Sequence, residues 1–464
     1  MIFANRIFLV ILLLLIPQLS WSNSNITLVS EGTGKNFIFE QDTKALVTSV
    51  DFVVRTGSLS DPKGKEGLAM MSFAALLRGT QKKTRKEFDA EIEKLGAAIG
   101  ADTASNRTIL SLDSIQGTLE QSLQILAEAV LQPRLEDAEI DSLKVEVLAA
   151  LQQEKANNRT LVKRAFRQAV FGETGLAIPA AGTITSIQNI SKKDIQEFLA
   201  LHLKRENIVI AVNSALPESQ IRQMLEKSFQ ALAVGGGTPA NVVKKSGATG
   251  KRLLLVSRPG SATTEMAIGH FGIAAQRADR EALEIGLFLF GGDMSSRLFQ
   301  ELRAKKGWTY GVFSTYQFLE IPRRHGGAFA IYAFPHAEHT ANTLKKTLAL
   351  YRDYVRQGIT PKELAFAKST MKNSYPFQFA SSRAKLTGRL YEFLDGAPLL
   401  SVNEYRRYVD GITVTSLKKS IQSAHDSENI WVVMVGDPKA LQEGKKSVKG
   451  WKEVVELSPD QIIP

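Results

Sequence analysis

The hydrophobic and polar positions of the chain fall into short blocks of two periods. Blocks around 37–55 (NFIFE, then ALVTSVDFVVR) and 108–112 alternate or run apolar, which predicts strands. Residues 67–77 are apolar nearly all round and predict a helix whose default place is the core. From Thr84, apolar Phe88, Ile92 and Leu95 recur at helical spacing; Thr84-x-x-Glu87 reads as a capping box and Gly96 ends the helix. Further helices are predicted over 119–131 and 136–155. Around 290–318 the pattern changes from helix to strand. Leu298, Phe299 and Leu302 fall on a helical face after Gly291-Gly292, Gly307 stands where a C′ glycine would, and residues 310–318 are rich in aromatic and β-branched side chains. Two side chains stand out here: Arg303 on the last helical turn and Tyr310 on the strand. Taken alone, an ion-paired arginine and a half-buried tyrosine would explain both.

The pattern also repeats. Ile190-Ser191-Lys192-Lys193-Asp194-Ile195 precedes the strand Glu206 to Val212, and Ile412-Thr413-Val414-Thr415-Ser416-Leu417 precedes the strand Glu428 to Met434. The offset is 222 for both pieces (412 − 190 and 428 − 206). Two matches on the same order of elements predict duplicated domains of about 200 residues. Gly, Pro, Ser and Lys cluster between them and read as a linker over 233–250. Strands and helices come in runs rather than in strict alternation, so each copy is predicted to be α+β, helices packed on a mostly antiparallel sheet.

Composition changes this picture little. Hydrophobic content of 44% and charged content of 23% are ordinary globular values. The formal charge of +11 is spread along the chain without a basic block, which gives no support to nucleic-acid binding. Arg6 followed by an apolar run over 7–16, a proline, and Ser20-Trp21-Ser22 predicts a signal peptide of residues 1–22, cleaved after Ser22. That run is too short to span a bilayer, so no transmembrane segment is expected in the mature chain. With no cysteine, disulfides, lipid anchors and thiolate metal sites are excluded, and a periplasmic or secreted location is expected. There is no Walker-A string and no GxSxG, and Gly34, Gly57, Gly64 and Gly67 are scattered loop glycines. His336-Ala337-Glu338-His339 reads as a solvated helix start, and His202, His270, His325 and His425 are isolated in sequence.

The string SRLFQELRAKKGWTYGV resembles the C-terminal half of the insulinase/pitrilysin family of zinc peptidases, which includes the mitochondrial processing peptidases. There the motif reads roughly GG…SRLFxxLRexxGLxYxV, and its Arg and Tyr reach across a closed chamber to the substrate backbone. The resemblance, which runs from about residue 37 to 441, places those roles on Arg303 and Tyr310. It implies two α+β domains arranged as a clam shell: 23–232, and 251–460 bearing the Arg/Tyr motif. An edge strand near 100–105 would pair with the peptide.

The first half is similar to the family only in outline. Gly67-Leu68-Ala69 and Gly79-Thr80 match the flanks of GLAHxxEHxxxxGT, but the two His and the Glu between them are replaced by Met70, Phe73 and Ala74. In the family the imidazoles hold zinc and the Glu activates its water. The third family ligand, a Glu in a VVLEEI-like segment, falls on Ala150, and the acidic position seven residues earlier falls on Leu143. No zinc or other cofactor is therefore expected in this chain. The resemblance implies a non-catalytic subunit, inert alone, of a heterodimeric zinc metalloendopeptidase. It would bind a peptide substrate opposite the zinc of a homologous partner subunit. The alternative is a non-hydrolytic peptide-binding or scaffold protein of the cell envelope.

Overall fold

The computed structural model describes residues 36–172, 174–235, 249–273, 277–317, 327–395 and 399–464. The leader, the linker at 236–248 and Phe318 lie outside the described residues. The first half supplies strands β1 (Asn36–Gln41), β2 (Val47–Val54), β3 (Ala98–Thr103), β4 (Thr108–Ile115) and β5 (Ile208–Ser214). Its helices are α1 (Leu68–Leu76), α2 (Arg85–Lys94), α3 (Leu119–Leu131), α4 (Asp137–Ala156), α5 (Asn158–Phe171), α6 (Ile184–Asn189), α7 (Lys192–His202) and α8 (Glu218–Phe229). The second half supplies β6 (Lys251–Ser257), β7 (Glu265–Ile273), β8 (Thr309–Gln317), β9 (Gly327–Pro335), β10 (Trp431–Gly436) and β11 (Trp451–Leu457). Its helices are α9 (Arg280–Leu287), α10 (Thr340–Gln357), α11 (Pro361–Ser374), α12 (Ser382–Asp395), α13 (Val402–Gly411), α14 (Val414–Ala424), α15 (Pro438–Ser447) and α16 (Pro459–Ile462).

The two sheets share one topology. The first runs β1-β5-β2-β4-β3 and the second β11-β6-β10-β7-β9-β8, the same order with β11 added outside β6. In each, three consecutive antiparallel ladders end in an edge hairpin strand: β3 on one sheet, β8 on the other. The repeat seen in sequence is the same in three dimensions: α14 begins 222 residues after α7 (414 − 192), and both start on capping boxes, at Ser191 and Thr413. The fold is thus α+β, two open, mostly antiparallel sheets with helices packed on them.

The halves exchange a helix. α5 leaves the first half and lies on the second sheet, where Phe166 meets Tyr332 edge-on (6.2 Å between ring centroids) and Phe171 meets Phe271 (5.6 Å). Every residue of β9 is buried because its alternate side chains enter two cores: Tyr332 and Phe334 face α5, while Phe329 and Ile331 face α9 and α10. Burying an aromatic of this kind contributes about 1.5–3 kcal/mol. In return α12, which begins 224 residues after α5 (382 − 158), lies on the first sheet. Its Leu386 and Leu390 pack on Ile38, Val53, Val209 and Ala211, flanked by Arg383 to Asp51 and Asp113 and by Lys385 to Asp42. The C-terminal turn closes back on the first half, with Ile462 and Ile463 buried in its core.

Candidate functional site

Arg303 lies in a π-helical turn, Phe299–Ala304, after which Lys305 donates its N–H to the Gln300 carbonyl five residues back. Sequence spacing predicts an α-helix here; the wider turn is the observed form, and such turns recur at functional sites. Gly307 reverses the chain at φ +65, donating to the Arg303 carbonyl at 3.1 Å, while Trp308 donates to Leu302. That conformation suits glycine and fixes the step from helix to strand. The nearest acid in sequence, Glu301, is taken by Lys305 and Lys346. The Arg303 side chain is exposed and, among the described residues, makes no ion pair or hydrogen bond.

Tyr310 sits on β8, an outer strand of the second sheet. The register jumps from Thr309↔Pro335 to Val312↔Ala333, so β8 carries one extra residue at Tyr310-Gly311. Bulges of this kind re-aim a side chain away from the alternation of the strand. Thr309, fully buried, holds the bulge: its hydroxyl donates to the Gly311 carbonyl (2.7 Å) and accepts from the N–H of Phe334 (3.0 Å) and of Gly311 (3.3 Å). Tyr310 is left 62% exposed with its ring 4.8 Å from that of His336, and its hydroxyl has no hydrogen-bond partner among the described residues. A tyrosine stabilising the fold would be turned in; this one is turned out.

The first-half positions sit on α1 and α4. Gly67 opens α1 at φ +104, where a Cβ would lie 2.6 Å from Ile187, and the Asp61 carboxylate accepts from the Gly67 and Ala69 N–H groups. Burial pushes Asp61 up to about 7 in spite of those two bonds. Phe73 is fully buried edge-on to Phe198, Met70 and Ala74 are half-buried against the same core, Ala150 is exposed on α4, and Leu143 is buried. A thioether, a phenyl ring and two methyl groups offer zinc no hard or borderline donor, so these positions do not fit the metal. Among the described residues no three His, Asp or Glu side chains come together as metal ligands would.

Two histidines that are isolated in sequence prove to be neighbours in space. His270 on β7 and His425 after α14 are bridged by the Tyr351 hydroxyl, 2.8 Å from His270 Nε2 and 3.2 Å from His425 Nδ1. Tyr316 of β8 meets His425 Nε2 at 2.8 Å. The backbone N–H of Asp426 points at His270 Nε2, which makes that nitrogen an acceptor and orders the remaining protons: Tyr351 donates to His270, His425 Nδ1 to Tyr351, and Tyr316 to His425 Nε2. Burial lowers the pKa of both imidazoles, His425 furthest, with His270 and Arg277 adding to it. The network ties β8 to the helices behind it. No sequence signal marks it, because its members are 35 or more residues apart, the smallest gap being Tyr316 to Tyr351.

The edge strand expected near 100–105 is present as β3, an outer strand whose side chains are exposed or half-buried. The isolated HAEH tetrad lies in a 3₁₀ turn, Ala337–His339, that leads into α10.

Comparison with known proteins agrees with this geometry. The family model described as Insulinase (Peptidase family M16) matches residues 36–184, and that described as Peptidase M16 inactive domain matches residues 189–371. A Helicobacter pylori protein named non-peptidase homolog YmxG is 25% identical over 74% of this chain and 78% of its own length. The crystal structure of a peptidase M16 inactive domain from Pseudomonas fluorescens superposes with a TM-score of 0.82 at 24% identity, over 89% of this chain and 98% of that one. The first half of the periplasmic protease PqqL from Escherichia coli gives 0.71 at 14% identity, over 89% and 94%. Two sheets of one topology, two contiguous family matches and apolar residues where the ligands would stand lead to one assignment: the chain belongs to the insulinase family, peptidase family M16, as an inactive member.

Proposed function

We propose that this chain is the metal-free subunit of a two-chain zinc peptidase, and that Arg303 and Tyr310 bind and orient the peptide opposite the zinc of a homologous partner. The observation that carries the reading is Tyr310: an exposed aromatic, its hydroxyl unpartnered among the described residues, aimed outward by a bulge that a buried threonine holds in place. Keeping such a presentation has no use in a chain that only fills space. The guanidinium supplies planar donors and the phenol one more, suited to a peptide carbonyl whose oxygen gains charge during hydrolysis. Zinc, held by the partner, would supply the activated water. Likeness to a periplasmic protease supports a place in the periplasm, and no helix of the described residues is long and apolar enough to cross a membrane.

The test is co-expression with a relative that carries an intact HxxEH motif, followed by a peptidase assay on the purified pair. Tyr310→Phe should lower cleavage about a hundredfold, the typical effect of deleting one transition-state donor, with assembly and melting unchanged. Full activity in this variant, or a loss that tracks unfolding, would leave the peptide-binding scaffold as the better account.

A further inference from the structure

An open groove of about 770 Å³ lies on the seam between the halves, lined by the α4–α5 junction on one side and the β6–β7 turn on the other. Two arginines face it, and they differ. Arg258 stitches the seam, donating from Nε to Asn158 Oδ1 and from a terminal nitrogen to the Ala156 carbonyl, both at 3.0 Å. Arg159 is held differently. Its guanidinium lies over the Phe334 ring at 4.1 Å, its side chain is 57% exposed, and among the described residues it makes no hydrogen bond. Among the described residues its ion-pair partner is Glu265, 3.8 Å away and nine-tenths buried, whose Oε2 lacks a hydrogen-bond partner. Burial pushes the Glu265 carboxyl up, against the downward pull of Arg159.

A run of contacts links Glu265 of the groove to Tyr310. Glu265 Oε1 accepts from Thr263, Thr263 bridges to His336, and His336 carries the Tyr310 ring. On the same side Phe313, 39% exposed, packs on Phe334 at 6.0 Å, so an apolar wall stands beside the cation. A planar cation with spare donors, fixed on an aromatic platform next to an apolar wall, matches a carboxylate side chain flanked by an aromatic one. The net charge of +11 favours the same class of ligand.

We infer that Arg159 is a specificity-determining residue: with Phe313 and Phe334 it forms a subsite that selects peptides carrying an acidic side chain next to an aromatic one. This rests on the reading that Tyr310 touches the peptide. It adds what that reading lacks, the sequence the peptide must carry, and it draws the determinant from the other half of the chain.

The experiment is binding of two acetylated, amidated peptides, Ala-Phe-Glu-Phe-Ala and Ala-Phe-Gln-Phe-Ala, to the full mature chain by calorimetry. Wild type should bind the Glu peptide about tenfold more tightly, the scale of one charge-assisted hydrogen bond. Arg159→Gln should abolish that ratio at unchanged melting temperature, and Arg159→Lys should keep part of it. Glu265→Gln, which removes the competing carboxylate, should tighten binding of the Glu peptide alone. Equal binding of both peptides by wild type, a ratio that survives Arg159→Gln, or no binding of either at millimolar peptide overturns the proposal. Tyr310→Phe separates the two readings: it should weaken both peptides alike and leave the ratio intact. A ratio that depends on Arg159 together with no effect of Tyr310→Phe keeps the subsite and removes Tyr310 from the contact.

Discussion

Thr309 and Phe334 are joined across the β8–β9 ladder by a side chain rather than by the backbone alone: the Phe334 N–H donates to the Thr309 hydroxyl at 3.0 Å, one step from the extra residue that turns Tyr310 outward. Threonine at this point does the work of a missing ladder bond. Thr309→Val keeps the shape and removes the oxygen, leaving the N–H of Phe334 buried without its partner. The cost should be about 1–3 kcal/mol of stability, read by urea unfolding. Cleavage by the assembled pair should fall further than stability explains, since the bulge that aims Tyr310 loosens. Equal stability of Thr309→Val and wild type would mean the bulge is held by other contacts.

Zinc content gives a second test. The purified chain should carry far less than one zinc per molecule, because Met70, Phe73, Ala74 and Ala150 supply no ligand. Restoring Met70→His, Phe73→Glu and Ala74→His should still give no stoichiometric zinc, with Ala150 unable to complete the set. Phe73→Glu alone should cost about 3 kcal/mol or more, since it places a carboxyl where a ring is fully buried against Phe198. Metal analysis and thermal melting on the same samples check both statements.

The buried His270–Tyr351–His425–Tyr316 chain predicts how stability depends on pH. Burial holds the pKa of both imidazoles below that of the unfolded chain, about 6.5. Below that value the unfolded state binds more protons, so the contribution present at neutral pH is lost as pH falls, by up to about 1.4 kcal/mol per unit for each histidine. Asp61 and Glu284, each raised to about 7 by burial, act in the opposite sense: their contribution is present at low pH and is lost as pH rises through 7. The histidine part is isolated by comparing wild type with His425→Gln between pH 7.5 and 5.5. The variant should be less stable at pH 7.5 and should lose less on acidification. Parallel losses in the two proteins would remove the network from the account.

The exchanged helices predict different kinds of coupling between the halves. α12 meets the first sheet through Arg383 on Asp51, a carboxylate that is almost fully buried and whose pKa burial raises. Arg383→Ala should destabilise by about 1–3 kcal/mol, because it strands that carboxylate, and Asp51→Asn in the same chain should restore much of the loss. α5 meets the second sheet through rings, and Phe166→Ala should cost about 3–5 kcal/mol with no such rescue. Equilibrium unfolding of the three variants beside wild type decides it.

The sequence by itself determined the elements, their duplication and the erased metal centre. Capping boxes at Thr84, Ser191 and Thr413, the glycine turn at Gly307 and the 222-residue offset all stand in the structure, because caps, turns and periodicity are local chemistry written within a few residues. The loss of zinc ligands was legible for the same reason: it needs only residue identity at fixed spacing. Tertiary structure alone decided the rest. Nothing in the spacing of α5 says that it leaves its own half to cover the other sheet, since an apolar helical face does not name its partner. The outward turn of Tyr310 depends on a register shift against β9, where the flanking pairs, Thr309 with Pro335 and Val312 with Ala333, join residues more than 20 positions apart. Arg159 carries no motif, and only the packing of the two halves places it over Phe334 of the second sheet, in the groove at the seam.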